Sequence, residues 1–186
     1  MATISLSLDE IYKLANKTLL ANGCDQETAD ILSELITNAE RDGSLSHGLF
    51  RLPAYVSGLK SGKINGKQKP DIKKLTPSVI KADGKNCLAP VVLNKSIPEL
   101  VKAAKENGVA VLAIINSHHM AAMWPETEKI AEEGLVAFAC TSYKPAVAPA
   151  GAIKPLFGTN PISFAWPRTV SYTHLRAHET SRNLGW

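Results

Sequence analysis

The chain has 186 residues, a formal net charge of +4, 45% hydrophobic residues and 20% charged residues, a composition that excludes the disordered and collagen-like classes. Its lysines are scattered and form no continuous basic stripe, which argues against nucleic acid as a partner. The 3 cysteines lack CxxC spacing and therefore indicate neither a disulfide framework nor a zinc knuckle.

The first ten residues contain no basic segment followed by an apolar run. No stretch of the chain reaches the roughly 18 consecutive apolar residues that a membrane span requires. We therefore expect a cytoplasmic protein that has no signal peptide and no membrane as a partner.

Three short amphipathic helices are predicted at the start of the chain. The first runs from Ser7 to Gly23, opens with the capping box S-L-D-E and continues with apolar residues at helical spacing. The second is predicted from Asp25 to Gly43. The third is predicted from about Ser46 to Leu59, provided that the helix bends or starts late at Pro53.

The character of the chain changes after a polar, turn-rich string, GKINGKQKP at 62–70, which indicates a linker or surface loop. A strand fragment is predicted at 79–81 and a helix at 86–107, interrupted near Pro98. The almost unbroken apolar run at 109–115 is typical of a strand that is covered on both faces.

A helix at 124–134, with proline near its start and glycine at its end, leads to a second apolar run at 135–140. Strand, loop, helix and strand in this order predict one βαβ crossover, in which ligands bind beyond the carboxyl ends of the strands. Those ends are 116–123 and 141–149. A further strand is predicted at 162–166.

The last eighteen residues, TVSYTHLRAHETSRNLGW, keep neither the helical nor the strand period of the preceding chain. They resemble the translated read-through of a sequencing-library adapter, and the alternative is a genuine polar tail. We therefore expect an N-terminal helical region at 1–70, an incomplete α/β domain at 71–168 and a non-native tail at 169–186. The predicted fold class is mixed α/β, and because no GxGxxG follows a strand, no nucleotide can be inferred from a motif alone.

The first candidate site lies at the start of the third predicted helix, where His47 and Arg51 are four residues apart and would face the same side. Arginine binds a carboxylate through two parallel hydrogen bonds, and histidine exchanges a proton near neutral pH. The preceding Ser46 can cap backbone amides or form a hydrogen bond with the imidazole. The alternative is a surface helix whose His and Arg face water.

A second polar group, N-S-H-H at 116–119, follows the predicted strand at 109–115. A metal site there would need a third ligand such as His47, and neither HExxH nor a carboxylate at close spacing is present. The alternatives are a ligand contact and a histidine that is only hydrogen-bonded in a loop. The string G-T-N-P at 158–161 is likewise consistent with a simple turn or with a ligand contact.

Three motifs occur in matching order and spacing: D-G-S-L-S-H-G-L-F-R-L at 42–52, N-S-H-H at 116–119, and F-G-T-N-P-I-S-F-A-W-P at 157–167. With them the chain over 1–168 resembles the malate/L-lactate dehydrogenase family of the non-Rossmann type. The string SHHMAAMWPETE looks most like the members that reduce Δ1-piperideine-2-carboxylate and Δ1-pyrroline-2-carboxylate.

The resemblance implies a homodimeric reductase that uses NADPH or NADH and acts on a small carboxylate substrate. By position in the motifs, His47 would be the proton donor, Ser46 would tune it, and Arg51 would hold the substrate carboxylate. Thr159 would contact the substrate and Ser142 the cofactor. His119 would lie at the cofactor or, in hydroxy-acid members, act as the acid/base.

The family pattern also includes an aspartate partner of the Ser-His pair and further cofactor contacts that cannot be assigned in this sequence. The resemblance therefore implies that the 186-residue polypeptide is inactive or misfolded, while the parent gene encodes the enzyme. Three other interpretations stay open: an NAD-dependent dehydrogenase of 2-hydroxy or 2-keto acids, a non-catalytic dimerisation or binding fragment, and a metal-dependent hydrolase.

Overall fold

The chain divides into two compact units, one over 1–121 and one over 122–186, and the computed structural model describes residues 4–167 and the backbone of 173–175. The first unit contains α1 (Leu8–Ala21), α2 (Gln26–Arg41), two 3-10 turns (Leu45–His47 and Leu49–Arg51), α3 (Leu52–Lys60), β1 (Asp71–Thr76), β2 (Val79–Leu88), α4 (Ala89–Asn107) and β3 (Val111–His118). The second contains α5 (Trp124–Glu132), β4 (Ala137–Cys140), β5 (Ile162–Trp166) and β6 (Thr173–Leu175).

This division differs from the boundary expected at residue 70. The loop at 62–70 is tied into the first unit, because Ile64 is buried in its core. The backbone N–H of Asn65 also donates to the carbonyl of Asn86 at 3.0 Å. A polar, turn-rich composition thus marks a surface loop here and not a flexible connection between two bodies.

The first two helices are confirmed with their capping residues. The Ser7 side chain accepts a hydrogen bond from the Glu10 N–H at 3.3 Å, and the Glu10 carboxylate accepts one from the Ser7 N–H at 2.8 Å. Asp25 accepts from the N–H of Thr28 at 2.9 Å. These side chains satisfy N–H groups that have no partner inside the helix, which is why both helices begin there.

The third predicted helix is wrong over its first turns. The segment from Leu45 to Arg51 forms two successive 3-10 turns separated by Gly48, and the α-helix begins only at Leu52. Pro53 then falls in the first turn of α3, where its missing N–H costs no intrahelical hydrogen bond. His47 and Arg51 are therefore not stacked one turn apart on an α-helix.

Helices α1, α2, α3 and α4 enclose an apolar cluster that we call the helical core. It consists of Ile11, Ala15, Leu19, Cys24, Ala29, Leu32, Ile36, Leu52, Tyr55, Ile64, Leu88 and Val91. Leu19, Leu32 and Ile36 have no solvent exposure. Burying side chains of this size contributes about 1.5–3 kcal/mol each, so this cluster is the main source of stability in the first unit.

The sheet of the first unit has the order β1-β2-β3. Strands β1 and β2 form an antiparallel pair, whereas β2 and β3 are parallel and are connected by α4. The βαβ crossover predicted from 109 to 140 is therefore wrong. Strand β4 belongs to a different sheet, in which it pairs antiparallel with β5, and the crossover of this chain is β2-α4-β3.

Two further predictions in this unit are corrected. The run at 109–115 is not covered on both faces among the described residues, because Leu112 and Ile114 pack with Ala82 while Val111 is 55% exposed. The helix α4 also continues through Pro98. Both Pro98 and Asn94, whose carbonyl loses its partner, are solvent-exposed, so water can satisfy that carbonyl.

The second unit is a small antiparallel sheet with the order β4-β5-β6, and α5 packs against one face of it. The buried cluster between α5 and the sheet is made of small residues: Ala131 on α5, Ala137 on β4 and Ala165 on β5. The opposite face carries Phe138 and Trp166, which are 62% and 57% exposed. Strand β6 falls within the stretch predicted to be a non-native tail, most of which lies outside the described residues.

Among the helices that the structure describes, none is both long enough and apolar enough to cross a lipid bilayer.

Candidate functional site

The first 3-10 turn presents an imidazole that is hydrogen-bonded to serine. The hydroxyl of Ser46 lies 3.0 Å from Nδ1 of His47, and the hydroxyl of Ser44 lies 3.4 Å from the same atom. His47 is half-buried, and its backbone N–H donates to the Ser44 carbonyl at 2.8 Å. If Ser46 donates to Nδ1, the neutral ring carries its proton on Nε2; if Ser46 accepts, Nδ1 carries a proton.

The second 3-10 turn ends at a half-buried guanidinium. Nε of Arg51 is shielded from solvent and has no hydrogen-bond partner among the described residues. A buried donor without a partner costs about 1–3 kcal/mol, more when it is charged, so an acceptor is expected at this position. A carboxylate matches the geometry of a guanidinium through two parallel hydrogen bonds.

Tyr55 lies one helical turn beyond Arg51 and is fully buried in the helical core. Burial raises the pKa of its phenol well above the usual range, and the positive charge of Arg51 opposes part of that shift. The hydroxyl stays protonated at neutral pH and has no hydrogen-bond partner within the described part of the chain. Tyr55 thus belongs to the core against which Leu49, the first residue of the second turn, packs.

The end of β3 has an irregular backbone. Strand β2 places extra residues opposite β3 between Asp83 and Cys87, and Asn116 has a φ of +50°. The carboxylate of Asp83 accepts hydrogen bonds from the Lys85 N–H and the Asn116 side chain, which hold its pKa below the usual range. The half-buried His119 follows this end of the strand.

The segments that carry His47 and His119 border the same core. Leu49, between His47 and Arg51, packs against the helical core, and so does Met120, which follows His119. Among the described residues, no group of three or more His, Cys, Asp or Glu side chains could hold a metal ion.

The predicted residues of the second unit lie on two neighbouring chain segments. Ser142 is exposed just after β4, and Thr159 is half-buried just before β5. The N–H of Tyr143 donates to Oδ1 of Asn160 at 2.9 Å, and Asn160 has a φ of +42°. The side chain of Asn160, together with the hydrogen bond from the Thr141 N–H to the Pro161 carbonyl at 3.3 Å, joins the two loop segments that carry Ser142 and Thr159.

Sequence reasoning missed two residues that shape these turns. Glu40 accepts a hydrogen bond from the backbone N–H of Leu49 at 2.7 Å and so connects α2 to the turns that carry His47 and Arg51. Asn160 was noticed only as part of a turn. A carboxylate in the last turn of a helix opposes the helix dipole, and this was the one signal in the sequence that marked Glu40.

The fold and these side chains define a mixed α/β protein that presents an imidazole and a guanidinium without a dinucleotide fingerprint. The chain belongs to the malate/L-lactate dehydrogenase family, whose family model matches residues 6–175. The resemblance predicted from the three motifs is thereby confirmed, as is the absence of a classical Rossmann fold.

Three relatives illustrate the similarity. A Δ1-pyrroline-2-carboxylate reductase of Burkholderia ambifaria is 40% identical over 168 residues, which are 90% of this chain and 49% of that protein. The crystal structure of Δ1-piperideine-2-carboxylate reductase from Pseudomonas syringae matches with a TM-score of 0.85 at 40% identity, covering 91% of this chain and 51% of the other. Malate dehydrogenase of Pyrococcus horikoshii matches with a TM-score of 0.86 at 32% identity, covering 94% and 50%.

These relatives are oxidoreductases by name. The chain spans about half the length of the curated relatives it matches.

Proposed function

We propose that this chain supplies the proton donor and the carboxylate-binding residue of an NAD(P)H-dependent reductase of small cyclic imine carboxylates. The observation that carries the proposal is the pair of 3-10 turns, which present His47 with Ser46 on its Nδ1 and end at the buried, unpartnered Nε of Arg51. The similarity to two imine carboxylate reductases at 40% identity supports the choice of substrate class.

The proposed roles of Arg51, Ser46 and His47 follow from the hydrogen bonds that each side chain can form. Arg51 would bind the substrate carboxylate and so fix which carbon is held beside the imidazole. Ser46 would accept a hydrogen bond from Nδ1–H of the protonated His47 ring and orient it. Nε2 would donate its proton to the imine nitrogen and form the N–H bond, which leaves a neutral imidazole, while the C–H bond requires a hydride from the cofactor.

The donors of this chain fit a nicotinamide cofactor in their chemistry. The exposed hydroxyl of Ser142 and the imidazole of His119 are hydrogen-bond donors of the kind that phosphate and carboxamide groups accept. When bound, the reduced nicotinamide supplies the hydride that the imine carbon receives. Thr159 would complete the substrate contacts in the second unit. The proposed cofactor is NADPH or NADH, and turnover measured with each decides between them.

The experiment that tests this proposal uses the full-length protein, expressed from a reading frame that continues without interruption beyond Arg168. We expect oxidation of NADPH or NADH with Δ1-pyrroline-2-carboxylate or Δ1-piperideine-2-carboxylate, followed at the nicotinamide absorbance. His47→Ala should abolish turnover, and Arg51→Lys should raise KM, because lysine cannot form two parallel hydrogen bonds. Arg41→Lys, at an exposed arginine of α2, is the matched control and should leave both constants unchanged.

A second candidate is an NAD-dependent dehydrogenase of 2-hydroxy or 2-keto acids. The similarity to a malate dehydrogenase at 32% identity favours it, and a guanidinium and an imidazole suit a keto acid as well as an imine acid. His119 would then be the acid/base. Turnover of pyruvate or oxaloacetate with NADH, without turnover of the cyclic imines, would replace the first proposal by this one.

The remaining expectations are proposals about the whole protein. We propose a cytoplasmic homodimer, which size-exclusion chromatography with light scattering would test. We also propose that residues 169–186 are a non-native tail and that the 186-residue chain alone is inactive. Turnover by the purified 186-residue chain would refute the proposal that it is inactive. If the folded full-length protein keeps its turnover in both His47→Ala and Arg51→Ala, this chain does not supply the catalytic groups, and a binding or dimerisation role for it is favoured.

A further inference from the structure

Glu40 sits in the last turn of α2, an unusual position for a carboxylate. The C-terminal end of a helix carries partial negative charge, so an acidic side chain is disfavoured there unless other groups offset the repulsion. The structure shows such a group: Oε1 of Glu40 accepts a hydrogen bond from the backbone N–H of Leu49 at 2.7 Å. The carboxylate is thus directed away from its own helix toward the neighbouring turns.

The neighbouring Gly48 leaves room for that carboxylate. A Cβ atom built on Gly48 would overlap the carboxylate of Glu40. Any side chain at position 48 would therefore have to displace the carboxylate from Leu49. The glycine and the glutamate form one arrangement, which we call the Glu40 brace: the Glu40 carboxylate, Gly48 and the N–H of Leu49.

The brace acts at the junction of the two 3-10 turns. Within the turns the backbone bonds are short, 2.8 Å from the His47 N–H to the Ser44 carbonyl and 2.9 Å from the Arg51 N–H to the Gly48 carbonyl. Between them the bond from the Gly48 N–H to the Leu45 carbonyl is 3.4 Å long. The hydrogen bond that the Glu40 carboxylate accepts from Leu49 therefore fixes the chain where its own backbone bonds hold it least.

We propose that Glu40 is a positioning residue that sets the placement of His47 relative to Arg51. Leu49 lies two residues from each of them, and α2 is anchored in the helical core through Leu32 and Ile36. The carboxylate of Glu40 transmits that rigid position to both functional side chains. This inference rests on the proposed function of His47 and Arg51. The geometry of the Glu40 brace is independent of that function.

The first test compares Glu40→Ala with Glu40→Gln in the protein from the uninterrupted reading frame. The alanine variant removes the acceptor, and a displacement of a reacting group by about 1 Å can lower the rate about 100-fold. We expect kcat to fall and KM to rise together, because proton donor and carboxylate clamp both move. The glutamine variant keeps an acceptor oxygen at the same reach and should restore most of the activity.

The matched control is Glu34→Ala, at an exposed carboxylate on the same helix. It should leave kcat and KM unchanged. Each constant is referred to the folded fraction of the variant, measured by circular dichroism, so that a loss of folded protein is not counted as a loss of positioning.

The second test uses Gly48→Ala. Because the added methyl group displaces the Glu40 carboxylate, this variant should reproduce the effect of Glu40→Ala, and the double variant should be no worse than either single one. Additive losses would show that Gly48 and Glu40 act independently and would overturn the brace.

The third test is independent of turnover. In the protein from the uninterrupted reading frame, hydrogen exchange at the Leu49 amide should accelerate in Glu40→Ala and stay slow in Glu40→Gln and Glu34→Ala. If the wild type turns over no imine or keto acid, the proposed function fails, and this exchange pattern still decides whether the brace exists. Slow exchange in Glu40→Ala, or wild-type constants in that variant of an active enzyme, would overturn the inference.

Discussion

The two units of the chain are stabilised in different ways. The first buries large aliphatic and aromatic side chains, among them Leu19, Leu32 and Tyr55, in one cluster. The second buries alanines at the contact of α5 with its sheet, together with a buried hydrogen bond of 2.8 Å between the hydroxyls of Thr127 and Ser163. The first unit therefore depends mainly on apolar burial, and the second depends relatively more on individual hydrogen bonds.

The difference also applies to the candidate site residues. His47 and Arg51 stand on turns that pack on the helical core and are tied to α2 by Glu40. Ser142 and Thr159 lie on loop segments joined by the hydrogen bond from the Tyr143 N–H to Asn160, by the bond from the Thr141 N–H to the Pro161 carbonyl at 3.3 Å, and by backbone bonds farther along the loop. Residues that fix a reacting geometry gain from a rigid support, and the helical core gives such a support to the proposed proton donor and the proposed carboxylate-binding residue.

The largest predicted effect is on the helical core. Leu32→Ala should lower the free energy of unfolding of the first unit by about 2–5 kcal/mol, because it removes a fully buried side chain and leaves a cavity. Denaturant dependence of hydrogen exchange at amides of α2 measures this value. Leu156→Ala, at a 63% exposed leucine of the second unit, should change stability by less than about 0.5 kcal/mol. Equal effects of the two variants would contradict the comparison.

The next effect concerns the buried hydroxyl pair of the second unit. Thr127→Val should lower its stability by about 1–3 kcal/mol, because the Ser163 hydroxyl loses its partner while staying buried. Ser163→Ala should cost less, since the Thr127 hydroxyl still donates to the Trp124 carbonyl at 3.1 Å. The double variant should recover part of the loss. Exchange at the amides of β4 and β5 measures it, and a larger loss for Ser163→Ala would refute this assignment of donors.

The third effect separates the two roles of Asn160. Asn160→Ala removes the acceptor for the Tyr143 N–H and also disfavours the positive φ, so a loss of about 1–2 kcal/mol is expected. Glycine at this position keeps the φ without the acceptor, and aspartate keeps both. The losses should therefore decrease from alanine to glycine to aspartate, as measured by exchange at the Tyr143 amide. A glycine variant as unstable as alanine would show that the φ preference contributes nothing.

Local signals in the sequence predicted much of the fold. The capping box at Ser7, the cap at Asp25 and the left-handed Gly108 that ends α4 depend on neighbouring residues only, and all three are present in the structure. The family resemblance likewise rested on short strings. What failed was the pairing of distant strands: the apolar run at 109–115 predicts a strand but carries no information about which strand lies beside it.

The geometry of the site shows the same limit. Four-residue spacing of His47 and Arg51 predicted one helical face, and the glycine between them was read as part of that helix. Gly48 instead divides two 3-10 turns. The reason is a contact between distant residues, since Glu40 of α2 occupies the space beside Gly48 and binds the Leu49 N–H. No pattern within 46–56 encodes that contact.

The smallest predicted effect is a pH dependence confined to the first unit. Hydrogen bonds from Lys69 and then Lys95 lower the pKa of Glu27. The stabilisation is complete above the unfolded-state pKa of about 4.3 and is lost as the pH falls through the lower folded value. Because Glu27, Lys69 and Lys95 are all partly exposed, their ion pairs contribute less than about 1 kcal/mol to the free energy of unfolding. Glu27→Gln should reduce the loss of stability that α2 shows on acidification and should leave the pH dependence of β4 unchanged. Glu34→Gln should leave the pH dependence of both unchanged. Since Lys69 and Lys95 lie in the first unit, an equal change in both units would show that the acid response belongs to the whole chain and not to this ion pair.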